Sequence, residues 1–276
     1  MVLLHFKAIM RQRTPQGGVV QEGESHDERL FLKSTEKAFR VLEAFGQSPH
    51  PLTLSEVAKE VGIDKSGAQR ICHTLLVLRY LEREPISGKL IPGKLLLDRS
   101  YDYLRHNPLV ERAVPILIDL RKTAQERVDL SLFDGTTIVF AHRLQSKRET
   151  FSATLVGRRI PSAVSSGGRA CLAHLTDEEV LEIIESSDIR KFSPKTTIDH
   201  KELFEQVQET RRRGFALAME EMALGEIAVA ASILNAERQP VAAISIVGSL
   251  AEWTVEDFTR KNGPLVTAAA HALGGK

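Results

Sequence analysis

Apolar residues recur at intervals of three and four in three successive segments between residues 34 and 78, and this spacing predicts three amphipathic helices. Thr53 begins the second helix as its capping residue, and Gly62 ends it in a left-handed turn. Only Ile63 and Asp64 separate this helix from the third. Two helices joined by so short a turn have the spacing of a helix-turn-helix.

A different pattern follows the third helix. Two short extended runs surround Ser87 and Gly88, and runs of this kind predict a β-hairpin, or wing. Helical spacing then returns. We therefore expect a winged helix-turn-helix domain over residues 31–93 and a linker helix over residues 94–107. Residues 1–30 are rich in glycine and polar residues without a sustained period, and they are expected to form a flexible tail.

The second half of the chain mixes helical spacing with alternating apolar and polar positions. Alternation on both sides of Asp134 and Gly135 predicts an antiparallel hairpin, and two more strands are predicted near the end of the chain. Residues 151–161 are expected to continue as strand and loop, and a preceding helix is expected to be interrupted at Pro115. Because helices and strands follow no strict β-α-β rhythm, residues 108–276 are expected to form a domain of the α+β class with an antiparallel sheet.

The composition is ordinary for a globular protein, with 42% hydrophobic and 26% charged residues among 276. No apolar run approaches the length of a membrane span, and the first residues lack the long apolar core and cleavage site of an export signal. We therefore expect a cytoplasmic protein with no membrane partner. The formal net charge is +1, but residues 31–95 hold ten basic and seven acidic side chains. This mild excess permits a nucleic-acid-binding domain there without requiring one.

The two cysteines, Cys72 and Cys171, are distant in sequence, and each lies in an apolar helical pattern. They are expected to be small buried thiols, and neither a disulfide nor a metal site follows from them. The chain also contains no nucleophile elbow and no phosphate-binding loop. We therefore expect no catalytic residue, no metal and no cofactor.

The third helix separates an apolar face from a polar one. Lys65 and Ser66 lie near its N-terminus, where they are placed to meet a phosphate oxygen. Gln69 can read adenine, and Arg70 can read guanine or clamp a phosphate. The polar face could instead be merely solvated, but the capped helix, the tight turn and the wing together favour DNA binding. The predicted DNA-binding residues are Thr53, Lys65, Ser66, Gln69, Arg70, His73 and, in the wing, Lys89.

The segments STEKAFRVLEAF and LTLSEVAKEVGIDKSGAQRICHTLLVLRYLER resemble the winged helix-turn-helix domain of the IclR family of bacterial transcriptional regulators. Later segments, among them VGRRIPSAVSSGGRACLAHLTDEE and TRRRGFALAMEEMALGEIAVAASIL, are similar to that family in order and spacing. The resemblance covers roughly residues 31–273. It implies that residues 108–276 form a GAF-like effector-binding domain for a small organic molecule, often a carboxylic or aromatic acid.

The resemblance also implies a ligand-facing turn. Ser165, Ser166, Gly167 and Gly168 match it, and their hydroxyl and backbone N–H groups would hold a carboxylate. The same run could instead be a simple helix-capping turn. The implied effector-binding residues are Ser165, Ser166, Gly167, Gly168, Glu220, Glu221, Ala228 and Ser232.

Three positions depart from the family's pattern. Ala228 stands where some members carry cysteine, Ser232 where many carry proline, and Ala218 where some carry an acidic residue. These departures imply a bulkier or more apolar effector than a small keto acid. Glu220 and Glu221 keep the family's acidic pair, which either contacts the ligand or braces its loop.

Two basic segments complete the set of candidate residues. His142 and Arg143 lie at the end of a predicted strand and could pair with an acidic ligand, but a solvated strand terminus is the favoured interpretation. Arg211, Arg212 and Arg213 are expected to form a solvated last helical turn that complements the helix dipole.

Two functions are compatible with these patterns. We expect a DNA-binding transcriptional regulator whose operator affinity responds to a small organic acid, and the alternative is an enzyme acting on a small acid and fused to a DNA-binding domain. The best catalytic constellation would be the 165–168 turn with Glu220 and His142. One recognition helix reads few base pairs, so a homodimer is expected, and the resemblance implies a dimer of dimers. The expected partners are therefore double-stranded operator DNA, the effector and further copies of this chain.

Overall fold

The structure is a computed structural model, and it describes residues 30–146 and 156–275. Its contacts divide the chain into two compact units, Met1–His106 and Asn107–Lys276. Most of the expected N-terminal tail and the first residues of the expected strand at 151–161 lie outside the described ranges. No helix within those ranges is both long and apolar enough to span a bilayer.

The first unit contains four helices and a two-stranded antiparallel sheet in its described part. In chain order they are α1 (Lys33–Gln47), α2 (Leu54–Val61), α3 (Lys65–Val77), β1 (Leu81–Arg83), β2 (Leu90–Pro92) and α4 (Leu95–Arg105). Val41, Val57, Cys72 and Leu75 share one buried cluster, so the apolar stripes of α1, α2 and α3 meet as their periodicity predicts. The winged helix-turn-helix is confirmed.

Local capping explains why the turn between α2 and α3 is so tight. Thr53 and Glu56 form a capping box at the start of α2, and Gly62 ends that helix with φ 70°. Asp64 then caps α3 by accepting a hydrogen bond of 2.8 Å from the Gly67 N–H. A bridge between Leu52 and Leu90 ties the segment before α2 to the wing. These contacts hold the turn between α2 and α3 and the wing in fixed positions within the first unit.

The second unit combines five helices with a six-stranded sheet in its described part. Its elements are α5 (Pro108–Ala124), β3 (Arg127–Asp134), β4 (Thr137–Leu144), β5 (Arg159–Pro161), a 3-10 turn (Ser162–Val164), α6 (Ser166–Leu172), α7 (Asp177–Ser186), α8 (His200–Arg213), β6 (Ala216–Met219), β7 (Glu226–Leu234), β8 (Pro240–Ser249) and α9 (Val255–Leu273). The strand order is β5-β4-β3-β8-β7-β6, and every pairing is antiparallel. The expected α+β class is confirmed.

Helices cover the sheet on both faces. A side chain at Gly167 in α6 would meet Ala243 of β8, whereas one at Gly248 of the same strand would meet Phe258 of α9. Because neighbouring positions on a strand face opposite sides, odd and even positions of β8 point to different layers. The sheet therefore has an α6 face and an α9 face, and the candidate effector site lies on the α6 face.

Two details of this unit differ from expectation. The helix α5 runs through Pro115 without interruption. Pro115 is exposed, so water can satisfy the carbonyl that loses its intrahelical partner. The short edge strand β6 was not expected, because its four residues carry no alternation of apolar and polar positions.

Candidate functional site

A groove of about 670 Å³ lies between α3 and the wing of the first unit. It brings together six of the seven residues predicted to bind DNA; these are Thr53, Ser66, Gln69, Arg70, His73 and Lys89. Lys65 does not line the groove, but it is exposed as the first residue of α3. The polar face of α3 and the wing thus form one concave surface.

The groove is basic. Arg70, Lys89 and Arg83 line it, and none of its described lining residues is acidic. The guanidinium of Arg83 donates a hydrogen bond of 2.9 Å to the Gly88 carbonyl, so it braces the wing turn from within the groove. Sequence reasoning missed Arg83. Arg83 is a basic residue at an exposed position of the first wing strand, opposite Leu90, and this could have indicated that it belongs to the groove.

The N-terminus of α3 is already occupied by local contacts. The Ser66 hydroxyl donates to an Asp64 carboxylate oxygen at 2.6 Å, and the Gly67 N–H donates to the same oxygen. These two hydrogen bonds hold the pKa of Asp64 below its usual value. A negative charge therefore sits at the helix end where a phosphate was expected to bind, and Gln69 and Arg70 further along α3 are better placed to meet DNA.

A smaller cavity of about 70 Å³ lies on the α6 face of the second unit. Six of the eight implied effector residues line it; these are Ser165, Ser166, Gly167, Glu220, Glu221 and Ala228. Ala218, Met222 and Ala223 give it an apolar side. The sequence-derived set is thus largely assembled around one cavity.

Gly168 and Ser232 lie outside the cavity lining. A Cβ atom on Gly168 would stand 2.1 Å from the Ser162 carbonyl oxygen, so this glycine permits a close backbone contact. Its N–H donates to the Ser165 hydroxyl at 3.1 Å, which makes Ser165 the cap of the seven-residue helix α6. The Ser232 hydroxyl is buried and donates to Cys171 Sγ, because that end of β7 packs beneath α6.

The acidic pair braces its loop. The buried guanidinium of Arg169 bonds both carboxylate oxygens of Glu221, at 2.6 and 3.1 Å. Glu220 has a φ of 56°, accepts a hydrogen bond from the Gly225 N–H and pairs with Lys195. The Lys195 ammonium and the Gly225 N–H lower the pKa of Glu220. Both carboxylates line the cavity, but their charges are already matched by protein groups.

A buried charge cluster forms another wall of the cavity. Arg143 donates through Nε and Nη2 to the two carboxylate oxygens of Asp129, each at 2.7 Å. Arg127 lies on the other side of Asp129, with Nε 3.4 Å from Oδ2, and its Nη1 donates to Glu226 at 2.9 Å. Burial opposes the charged form of Arg127, but Asp129 and Glu226 outweigh it and raise the pKa of Arg127. The expectation that Arg143 is solvated is therefore wrong.

A β-bulge explains the position of Arg143. The pairing of β3 with β4 shifts between Leu130 and Ser131, which leaves Ala141 as an extra residue on β4. Phe140 and Arg143 consequently line the same cavity although they are three positions apart, an offset that regular alternation would place on opposite faces. Sequence alternation carries no sign of this shift.

The catalytic constellation considered above is not assembled. His142 is not among the described lining residues, since its neighbour Arg143 takes the cavity side of β4. Glu220 is held by Lys195, and no group of three or more potential metal ligands occurs among the described residues. The arrangement can hold a small molecule, but among the lining residues that the structure describes it brings no nucleophile next to a free base.

Comparisons with known proteins identify both units. The model of the IclR helix-turn-helix domain matches residues 34–85, and that of the bacterial transcriptional regulator IclR C-terminal domain matches residues 101–274. The HTH-type transcriptional regulator XynR of Escherichia coli (strain K12) is 26% identical over 216 residues, which cover 78% of this chain and 86% of that relative.

Solved structures share the fold. An IclR family transcriptional regulator from Brucella abortus superposes with a TM-score of 0.75 at 24% identity, covering 92% of this chain and 96% of that one. An IclR homolog from Microbacterium hydrocarbonoxydans, complexed with 4-hydroxybenzoate, gives a TM-score of 0.68 at 24% identity, covering 87% and 97%. With a DNA-binding unit followed by an effector-binding domain, the chain belongs to the IclR family of bacterial transcriptional regulators.

Proposed function

We propose that the groove between α3 and the wing binds double-stranded operator DNA, and that a small organic acid in the cavity of the second unit changes operator affinity. One observation carries this proposal: residues from α3 and the wing converge on a groove that is basic and free of acidic lining residues in the described part of the chain. Such a surface complements the phosphate backbone of a duplex.

In the proposed complex, α3 enters the major groove. Gln69 and Arg70 reach base edges, while His73 and Lys65 extend the contact along the helix. Lys89 contacts a flanking phosphate from the wing, and Arg83 keeps the wing turn in shape. Thr53 and Ser66 line the groove but are engaged in capping contacts, so their share of the binding is the smaller one.

A homodimer, or a dimer of dimers, would give the regulator its specificity. One helix contacts only a few base pairs, and a two-fold arrangement doubles the sequence that is read. The effector would act by shifting the population of such arrangements, with α4 as the connecting segment. A regulator that acts in this way would work in the cytoplasm, where its operator is.

The proposed effector is a carboxylic or aromatic acid. Two observations support this choice: the cavity joins the buried arginine Arg143 to an apolar side, and the structure of the homolog from Microbacterium hydrocarbonoxydans is a complex with 4-hydroxybenzoate. Ser165, Ser166, Gly167 and Ala228 would surround the ligand. Glu220 and Glu221 would shape the loop above it.

A binding experiment tests the proposal. The DNA upstream of the gene and of its neighbours is titrated with purified full-length protein, with and without a panel of aromatic and aliphatic acids. We expect specific binding to one site and a change of affinity with at least one acid. Chemical turnover of an acid without any specific DNA binding would favour the fused-enzyme alternative.

A further inference from the structure

We propose that the effector binds through a carboxylate to Nη1 of Arg143, with its apolar body over the alanines of β6 and β7. This inference rests on the proposed role of the cavity as the effector site. It places the anionic end of the ligand on the wall formed by β3 and β4, away from the 165–168 turn to which family resemblance assigns it.

The hydrogen bonds of Arg143 leave one nitrogen unused. Nε and Nη2 donate to Asp129 along one edge of the planar guanidinium, so Nη1 lies on the opposite edge. This nitrogen is buried and has no hydrogen-bond partner among the described residues. The Arg143 side chain is only 6% exposed, and it lines the cavity. A buried cationic donor without an acceptor is unfavourable, and an anionic ligand in the cavity would satisfy it.

Arg143 is held in place before any ligand arrives. Asp129 fixes the guanidinium plane through two hydrogen bonds, and the ring of Phe140 lies 4.9 Å from the Arg143 Cζ atom. Arg127 contacts Asp129 from its other side. Asp129 is therefore a positioning residue, and the free edge of Arg143 is a rigid site for a carboxylate.

The opposite side of the cavity suits an apolar body. Ala218 on β6 pairs with Ala228 on β7, and Met222 and Ala223 follow in the next loop. The alanine side chains leave space above the sheet, and none of the four side chains can donate a hydrogen bond to a ligand. A ligand with one carboxylate and a hydrocarbon or aromatic body matches both ends of the cavity.

The test compares each acid with its own neutral amide. Full-length protein is titrated with benzoate and benzamide, 4-hydroxybenzoate and 4-hydroxybenzamide, and hexanoate and hexanamide, with Kd taken from thermal shift and calorimetry. We expect at least one monocarboxylate to bind about tenfold more tightly than its amide, which corresponds to one charged hydrogen bond.

Variants assign the effect to one residue. Arg143→Gln should weaken the best monocarboxylate about tenfold and bring it to within about threefold of its amide. The double variant Arg143→Gln with Asp129→Asn removes both charges together, in case the single variant does not fold. Arg260→Gln, at an exposed arginine that pairs with Asp257 in α9, is the matched control and should change nothing.

The outcomes separate this inference from the proposed function. Equal affinity for acids and amides, no binding of any monocarboxylate in the panel, or full retention of acid binding after loss of Arg143 would each overturn the carboxylate assignment. Operator binding is measured in parallel with wild-type protein. If a neutral compound alone releases the operator, the regulator function stands and only the assignment fails; if no operator is bound, the proposed function itself fails.

Discussion

Asp129 accepts two hydrogen bonds of 2.7 Å from Arg143 on the neighbouring strand, in a part of the sheet where both side chains are more than nine-tenths buried. Arg127 shares the same carboxylate. One carboxylate therefore holds two buried guanidinium groups. Because all three side chains line the cavity, the same contacts stabilise the second unit and fix the shape of this wall.

Replacing Asp129 with asparagine should destabilise the protein by about 3–5 kcal/mol, because two buried cations lose their shared carboxylate. Urea unfolding followed by circular dichroism measures the change. Asp134→Asn, at the other end of the same strand, removes a carboxylate from a half-exposed pair with Arg159 and should cost less than about 1 kcal/mol. Equal losses in the two variants would contradict the buried-cluster interpretation.

Arg70→Ala should weaken operator binding by about 1–3 kcal/mol, or roughly tenfold to a hundredfold in Kd, without changing stability. Fluorescence anisotropy on operator and scrambled DNA distinguishes the two roles proposed for Arg70, which are reading a guanine and contacting a phosphate. Loss of base reading reduces affinity for the operator alone, whereas loss of a phosphate contact weakens binding to both duplexes. Lys59→Ala, at an exposed lysine of α2 that does not line the groove, is the control.

Lys89→Ala should weaken binding to every duplex by a similar factor, because the proposed contact of this wing lysine is to phosphate and not to bases. The slope of log Kd against log salt concentration should fall by about 0.9, which is one released counterion. An unchanged salt slope together with a loss limited to the operator sequence would place Lys89 on a base edge instead.

The buried thiol of Cys171 should make the protein less stable at alkaline pH. Burial raises the pKa of this thiol from 9.0 to about 12 in the folded protein. Above pH 9 the unfolded chain releases the proton while the folded chain keeps it, so the free energy of unfolding decreases as pH rises from 9 towards 12. Each pH unit in this window should cost about 1.4 kcal/mol.

The measurement is urea unfolding of wild type and Cys171→Ala between pH 8 and pH 10. The wild type should lose stability more steeply above pH 9 than the variant does. Cys72 is also buried, with its pKa raised by burial, so it remains in both proteins and contributes equally. Parallel pH profiles would show that Cys171 is accessible to solvent in the folded protein.

The sequence predicts the first unit almost completely, because each of its elements carries its own local signal. Thr53, Gly62 and Asp64 mark the helix ends, and the polar stripe of α3 indicates the proposed DNA-binding face without any tertiary information. The same kind of signal located β3, β4, β7 and β8. Alternation did not reveal β6, because this short edge strand is apolar throughout. The helix α5 was wrongly expected to be interrupted at Pro115, because proline usually breaks a helix, whereas this proline faces solvent.

The second site depends on contacts that sequence patterns do not contain. Arg169 and Glu221 are 52 residues apart, and Arg127 and Glu226 are 99 apart, so no periodicity links them. Family resemblance supplied the turn at Ser165 and the acidic pair, but it gave no indication of the buried arginines. Ser232 was placed on the correct strand, and only packing shows that α6 covers it.

The extra residue Ala141 also predicts how β4 responds to a change of length. Deleting Ala141 would leave Phe140 and Arg143 two positions apart, so regular alternation alone would keep both side chains on one face and Arg143 opposite Asp129. Loss of this one codon should therefore be tolerated, with the walls of the chamber left as they are.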